Sequence, residues 1–280
     1  QMCIRDSSIT AKKLCPDIIF IPVHMDKYRN ISKEIHKIFK CYTKVIEPIS
    51  LDEAYLDVTY SKYCNGDPSK MAMQIRNKIH NDLRITASAG IAPNKFLSKI
   101  ASEWNKPNGQ FCITSNMIDK FMMNLPIRKI VGVGEKTEKK LHMIGVKTCG
   151  DLQDISLLDL KANFGKFGSA LYELCRGVDI RDVVSDRDSK SLSVEDTYSA
   201  DLKSSKECEM QLSILHQKLK QRLGEEKFMS KKIKSCFVKV KYNDFKISSH
   251  QTTCLLPEIE IYLKLLRKAI DKKSRPIRLL

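Results

Sequence analysis

Apolar positions along this chain fall into blocks of two periods, one near 3.6 residues and one of 2. Residues 28–41 set Ile31, Ile35, Ile38 and Phe39 at helical spacing with Lys and Glu between them, and residues 68–82 set Met71, Ile75 and Ile79 on one face. Both stretches predict amphipathic helices. Ile18–Val23 is a short β-branched run that predicts a strand or its approach. Val45–Ile49 and Ala54–Thr59 predict two more strands, joined through Ser50-Leu51-Asp52-Glu53. Thr86–Ile91 predicts a strand of small residues. Pro93 and Asn94 then open a third helix, with Leu97, Ile100, Ala101 and Trp104 at i, i+3, i+4 and i+7. Strands alternating with helices, with a hairpin among them, indicate an α+β or mixed-sheet domain up to about residue 113.

Residues 115–180 change to short helical segments punctuated by glycine. Ser115 and Ser156 are the expected N-caps, and Gly145, Gly150 and Gly177 the expected stops or turns. Residues 181–191 (RDVVSDRDSKS) are polar and read as a linker. From 192 the order becomes strand, helix, strand, strand, helix, strand. Leu212, Leu215, Leu219 and Leu223 line the first of these helices, and Ile261, Leu265 and Leu266 the second, over 258–270. In 234–242, Cys236, Val238, Val240 and Tyr242 alternate with Ser235, Phe237, Lys239 and Lys241, a half-buried strand with a partly basic outer face. This β-α-β-β-α-β order is a known supersecondary arrangement.

Composition narrows the classes. With 280 residues, 42% hydrophobic and 29% charged, the chain has enough material for about two domains and is not disordered throughout. No stretch approaches the ~18–20 apolar residues of a membrane helix, which excludes an integral helical membrane protein. The net charge is +16, unevenly spread. Residues 231–280 hold 13 Lys and Arg against 4 Asp and Glu, whereas residues 1–60 hold 9 against 8. A basic C-terminal segment suits a polyanion such as nucleic acid. The ten cysteines stand singly, with no C-x-x-C pair. They argue against a zinc site or a disulfide framework and for a reducing cytoplasm.

Three stretches carry candidate chemistry. Asp52 and Glu53 are adjacent acids at the head of an apolar strand; if the backbone turns at Ser50-Leu51 they form a hard-oxygen site suited to Mg²⁺. The dipeptide by itself favours a solvated acidic hairpin turn. Lys106 sits just past the third helix, before a rigid Pro107-Asn108-Gly109 turn, where it can be aimed at a phosphate as a point charge. Alone, it reads as a solvated lysine. Val131-Gly132-Val133-Gly134, followed by Glu135–Met143 with Leu141 and Ile144 packing back, resembles a helix-hairpin-helix, which holds a backbone phosphate without reading bases.

Taken together, Ser50–Asp57 (SLDEAYLD), Ser88–Leu97 (SAGIAPNKFL), Asn105–Phe111 (NKPNGQF), Phe164–Gly168 (FGKFG) and Ser193-Val194-Glu195 resemble the Y-family translesion DNA polymerases of the bacterial type, over residues 8–280. The resemblance implies an α+β fold: a fingers remnant at 8–22, a palm at 23–114, a helix-hairpin-helix thumb at 115–180, and a β-α-β-β-α-β little finger at 192–280 after the linker. It implies nucleotidyl transfer onto a primer 3′-hydroxyl with two Mg²⁺ ions, Asp52 bridging both and Glu53 helping to hold one. Lys106 would contact the incoming deoxynucleoside triphosphate. Gly132, Val133, Gly134 and Lys136, with Lys239 and Lys241 of the little finger, would hold primer-template DNA. A soluble cytoplasmic monomer and a sliding-clamp partner are also implied.

Some family features have no counterpart here: the first metal aspartate, the steric-gate aromatic, the Tyr/Arg pair of the fingers and the clamp-binding peptide. Residues 1–7 (QMCIRDS) back-translate to a sequence resembling a transposon adapter used in sequencing libraries, and residues 276–280 read as a strand just beginning. The expectation is a fragment cut at both ends, adapter-derived over residues 1–7, that binds DNA without extending a primer. Two other readings are a non-catalytic accessory of the same family and an unrelated helix-hairpin-helix DNA-binding module.

Overall fold

The computed structural model describes residues 8–186, 190–224, 232–270 and 275–280. Residues 1–7, read as adapter-derived, and 187–189 of the linker lie outside the described residues. The chain divides into two compact units, Gln1–Arg187 and Asp188–Leu280.

The first unit opens with α1 (Ser8–Leu14) and α2 (Met25–Lys40). Ile18–Val23 between them is not a strand. Ile19, Ile21 and Val23 are largely exposed, and among the described residues no strand pairs with the run. An antiparallel hairpin follows, β1 (Ile46–Pro48) and β2 (Ala54–Leu56), with Ile46 opposite Leu56 and Pro48 opposite Ala54. Helix α3 (Pro68–Leu83) begins at Asp67, whose carboxylate accepts from the Ser69 and Lys70 amides, with Pro68 pre-set for the first turn. Ile75 and Ile79 of α3 meet Ile38 of α2 in a small core.

β3 (Ala89–Ile91) pairs in parallel with β4 (Gln110–Cys112), so the chain must cross over between them. Helix α4 (Lys95–Trp104), capped by Asn94, is that crossover. β4 was not foreseen, because three residues are too few to display a period. The 115–180 stretch contributes α5 (Ile118–Met123), α6 (Glu135–Met143), α7 (Cys149–Gln153), α8 (Leu157–Phe164) and α9 (Lys166–Leu174). Ser156 caps α8 as expected. Ser115 caps nothing; it lies inside a 3-10 turn that follows Thr114. Gly150 is no stop but sits within α7, where a Cβ would come 2.7 Å from the Met123 carbonyl. These helices do not close a core alone. Phe96, Leu97, Ile100 and Ala101 of α4 pack with Met122, Leu125, Leu141, Leu152, Leu160 and Leu171, so residue 114 is not a boundary in packing.

In the second unit β5 (Thr197–Leu202), α10 (Ser205–Leu223), β6 (Ser235–Tyr242), β7 (Ile247–Thr253), α11 (Ile259–Ala269) and β8 (Ile277–Leu279) follow in turn. The strands form one antiparallel sheet in the order β5-β8-β6-β7. β6 alternates as its sequence predicts: Cys236, Val238, Val240 and Tyr242 are buried against Leu212 and Leu215 of α10 and Leu265 and Leu266 of α11. One expectation about cysteine fails here. The β6–β7 register sets Cys236 opposite Thr252 and brings Cys254, two residues on, within bonding reach; the two are joined as a disulfide, with Cα atoms 6.2 Å apart. Among the described residues no helix is long and apolar enough to cross a membrane.

Candidate active site and nucleic-acid interface

The acidic pair occupies a tight turn between β1 and β2. The amides of Ile49 and Ser50 both donate to the Glu53 carbonyl, at 2.9 and 3.2 Å. The Ser50 hydroxyl donates to Asp52 Oδ1 at 2.6 Å, which fixes that carboxylate on the turn. Asp52 is exposed and Glu53 half-buried. Lys99, from α4, places its Nζ 2.6 Å from Glu53 Oε1. Sequence reading assigned Lys99 no part, because 46 residues separate it from Glu53. Its only signal was that it lies one turn beyond Lys95 on the same helix.

α4 reaches this turn because it lies directly on β3. A Cβ at Gly90 would stand 2.0 Å from the Ser98 carbonyl, so no other residue allows this approach. Just past the helix, Lys106 pairs with Glu103 and precedes the Pro107-Asn108-Gly109 turn. That turn is held from α3. Arg76 donates to the Ala87 carbonyl at 2.9 Å, to Gln110 Oε1 at 3.1 Å and to Asn108 Oδ1 at 3.0 Å, and also to the Asn108 carbonyl. Trp104 stacks on Phe111, with ring centroids 5.6 Å apart, and meets Phe121 at 5.0 Å.

The Val131–Gly134 hairpin lies between a 3-10 turn (Ile127–Lys129) and α6. Gly132 adopts φ +99°, a conformation that side chains rarely take. Gly132, Gly134 and Lys136 are exposed, and the first turn of α6 also carries Glu135 and Glu138, paired with Lys139 and Arg128. Val133 is different: its side chain is buried and its amide donates to the Ile130 carbonyl at 3.0 Å, so it holds the hairpin's shape. Ile144, expected to pack back on the motif, is 50% exposed; Val146 takes that place in the core. In the second unit, Lys239 pairs with Glu195, and Lys241 lies over the Phe245 ring at 4.7 Å. The outer face of β6 is therefore basic and aromatic, with one acid among its lysines.

Comparison with known proteins matches this layout along its length. Residues 6–103 match the impB/mucB/samB family, residues 128–179 the thumb domain of DNA polymerase-iota, and residues 189–280 the impB/mucB/samB family C-terminal domain. The chain belongs to the Y-family DNA polymerases, DNA-directed nucleotidyltransferases of the translesion class. It is 45% identical over 272 residues to DNA polymerase IV of Protochlamydia amoebophila (96% of this chain, 77% of that protein). With DNA polymerase IV of Ralstonia nicotianae it shares 41% identity, again over 272 residues (96% of this chain, 75% of that protein). Among solved structures, the Y-family DNA polymerase chimera Dbh-Dpo4(243-245)-Dbh superposes with a TM-score of 0.84 at 25% identity, covering 97% of this chain and 79% of the other. DinB from Sulfolobus solfataricus, at 23% identity and TM-score 0.57 over 97% of this chain and 80% of its own, shares the fold.

Proposed function

We propose that the β1–β2 turn is the metal-holding centre of template-directed DNA synthesis, with Asp52 and Glu53 as its carboxylates. The observation that carries this reading is the turn itself, which presents two adjacent acids where β1 joins β2, one held by Ser50 and the other by Lys99. Their donor set fits Mg²⁺, which binds through one or two carboxylates plus substrate phosphates. Among the described residues no group of three His, Cys, Asp or Glu side chains forms, so the two carboxylates would hold metal together with substrate phosphates. Mg²⁺ bound there would supply Lewis-acid stabilisation of charge on the reacting oxygens.

The remaining roles belong to the chain. Ser50 orients Asp52. Lys99 orients Glu53 and offsets the repulsion between the neighbouring carboxylates. Lys106, released from Glu103, meets the triphosphate as a point charge, and Arg76 keeps the turn beside it in shape. The backbone amides at the start of α6 take one DNA phosphate, and Gly132 and Gly134 allow it near. Lys136, Lys239 and Lys241 add cationic contacts that position DNA without selecting sequence. The similarity to DNA polymerase IV of two bacteria supports a substrate of DNA and nucleotide.

Primer extension by protein expressed from the whole open reading frame tests the assignment. Asp52→Ala and Glu53→Ala are each expected to remove extension. Asp57→Ala is expected to cost far less, since Asp57 only caps its own turn by accepting from the Thr59 amide at 2.9 Å. Full extension by the Asp52→Ala protein would remove the role given to that carboxylate.

A further inference from the structure

Lys95, at the start of α4, and Glu47, in the middle of β1, are 8% and 6% exposed, and Nζ lies 2.5 Å from Oε2. Burying two charges costs heavily in desolvation, and an apolar pair of similar volume often serves stability as well. Stability therefore does not account for this pair, and its surroundings lead to the β1–β2 turn. Glu47 stands opposite Tyr55 in the hairpin, so their side chains share one face, and Lys95 Nζ lies 5.1 Å from the centroid of the Tyr55 ring. Glu53 comes two residues before Tyr55 and continues that face toward the turn. There it meets Lys99, which follows Lys95 by one helical turn. The two spacings agree. Four residues of helix rise about 6 Å and two residues of strand about 7 Å, so α4 sets one ammonium on the shaft of the hairpin and the next at its tip. Backbone completes the buried pair: Nζ also donates to the Asp182 carbonyl at 3.0 Å, and Oε2 also accepts from the Val184 amide at 2.9 Å.

We infer that Lys95 is a positioning residue of the turn that carries Asp52 and Glu53. Held by Glu47 and Tyr55, it fixes the register of the hairpin against α4, and that register brings Glu53 to Lys99. Charge-assisted hydrogen bonds are short and directional, whereas apolar contact is not. A packed apolar pair would keep the hairpin folded but let it slide along the helix. The Ile46 amide also ties β1 down, donating to Ser185 Oγ at 3.1 Å, but its partner is not on α4 and leaves that register open. The consequence for metal rests on the role proposed above for the two carboxylates. A ligand that loses its outer support holds metal at least about tenfold more weakly.

Variants of the protein expressed from the whole open reading frame test this. Mn²⁺ is the probe, its binding read by electron paramagnetic resonance with a dideoxy-terminated primer-template and a triphosphate present. The Lys95→Met, Glu47→Leu double variant leaves no orphaned charge and is expected to melt near the wild-type temperature. It should bind Mn²⁺ at least about tenfold more weakly. Its Ile49 and Ser50 amides, which close the turn on the Glu53 carbonyl, should exchange hydrogen at least about tenfold faster than in the wild type. Lys99→Met frees only the tip. Mn²⁺ binding should weaken to a like degree while those two amides keep their wild-type exchange, because Lys95 still holds the shaft. Adding Lys99→Met to the double variant should weaken Mn²⁺ binding no further, since both losses act on Glu53. Wild-type Mn²⁺ affinity in the double variant, additive losses in the triple variant, or fast exchange of the turn in Lys99→Met would each overturn the positioning role. So would a double variant that fails to fold, which would make the pair a stabilising one. Equal Mn²⁺ binding by the wild type and Asp52→Ala, with the exchange results as stated, would instead overturn the metal assignment and leave the hold of Lys95 on the turn standing.

Discussion

Arg76 commits its whole guanidinium to oxygens of the Ala87–Gln110 region, and nothing in its sequence neighbourhood announces this. It sits on a helix that reads as an ordinary amphipathic one, and its partners lie 11 to 34 residues further along. Lys99 and Lys95 were hidden in the same way. A charged residue's partner is set by tertiary packing, which spacing along the chain does not encode. Asp52, Glu53 and Lys106 were legible because they stand in local motifs. Arg76→Ala should cost about 2–3 kcal/mol in urea unfolding, the scale of lost hydrogen bonds to a charged group. It should also raise the KM for the triphosphate more than it lowers kcat; an unchanged KM would separate Arg76 from Lys106. Asp179 offers a test by pH. Burial alone would push its carboxyl up, but the hydrogen bonds from Arg181 and the Phe96 amide outweigh that and hold it below the usual carboxylate range. A lowered folded-state value stabilises above the unfolded value of about 4 and is lost as pH falls through the lower, folded one. The wild type should therefore lose urea resistance between pH 5 and pH 3 more steeply than Asp179→Asn; parallel curves would contradict the bonding described.

Among the elements, helices were easier to foresee than strands. α2, α3, α4, α10 and α11 each repeat an apolar face over at least two turns, and all five form where the period places them. Of the first unit's short strands, β1, β2 and β3 fall inside runs that predict them and β4 does not, while Ile18–Val23 shows that β-branched residues without a partner strand remain coil. The position that decides the α4 contact is Gly90. Gly90→Ala forces a methyl into the α4 backbone and should cost about 3 kcal/mol or more, since the obstructing atoms are main chain. Gly134→Ala is the comparison: nothing stands within 4 Å of its added Cβ and its φ is −87°, so thermal unfolding should move by no more than about 1 kcal/mol. Equal losses in the two variants would mean that α4 does not lie on β3 as described.

For the molecule as a whole, charge is the property most directly readable from composition. The net +9 of residues 231–280 falls on the unit that carries Lys239 and Lys241, while the hairpin glycines belong to the other unit. If about five phosphates are neutralised, log K for DNA should fall against log[salt] with a slope of about −4 to −5. A fluorescence titration giving a slope near zero, or a marked preference for one sequence, would exclude the backbone contacts assigned above. The sheet order β5-β8-β6-β7 bears on a different event, the making of the protein. Residues 277–279 are the last strand described, yet they fill the slot between β5 and β6. On the ribosome the first unit can close as soon as it emerges, whereas β5 and β6 have no bridge until that strand clears the exit tunnel. Until then β5 and β6 share only the core under α10 and α11, so closure of this sheet is expected to be a late step of biogenesis.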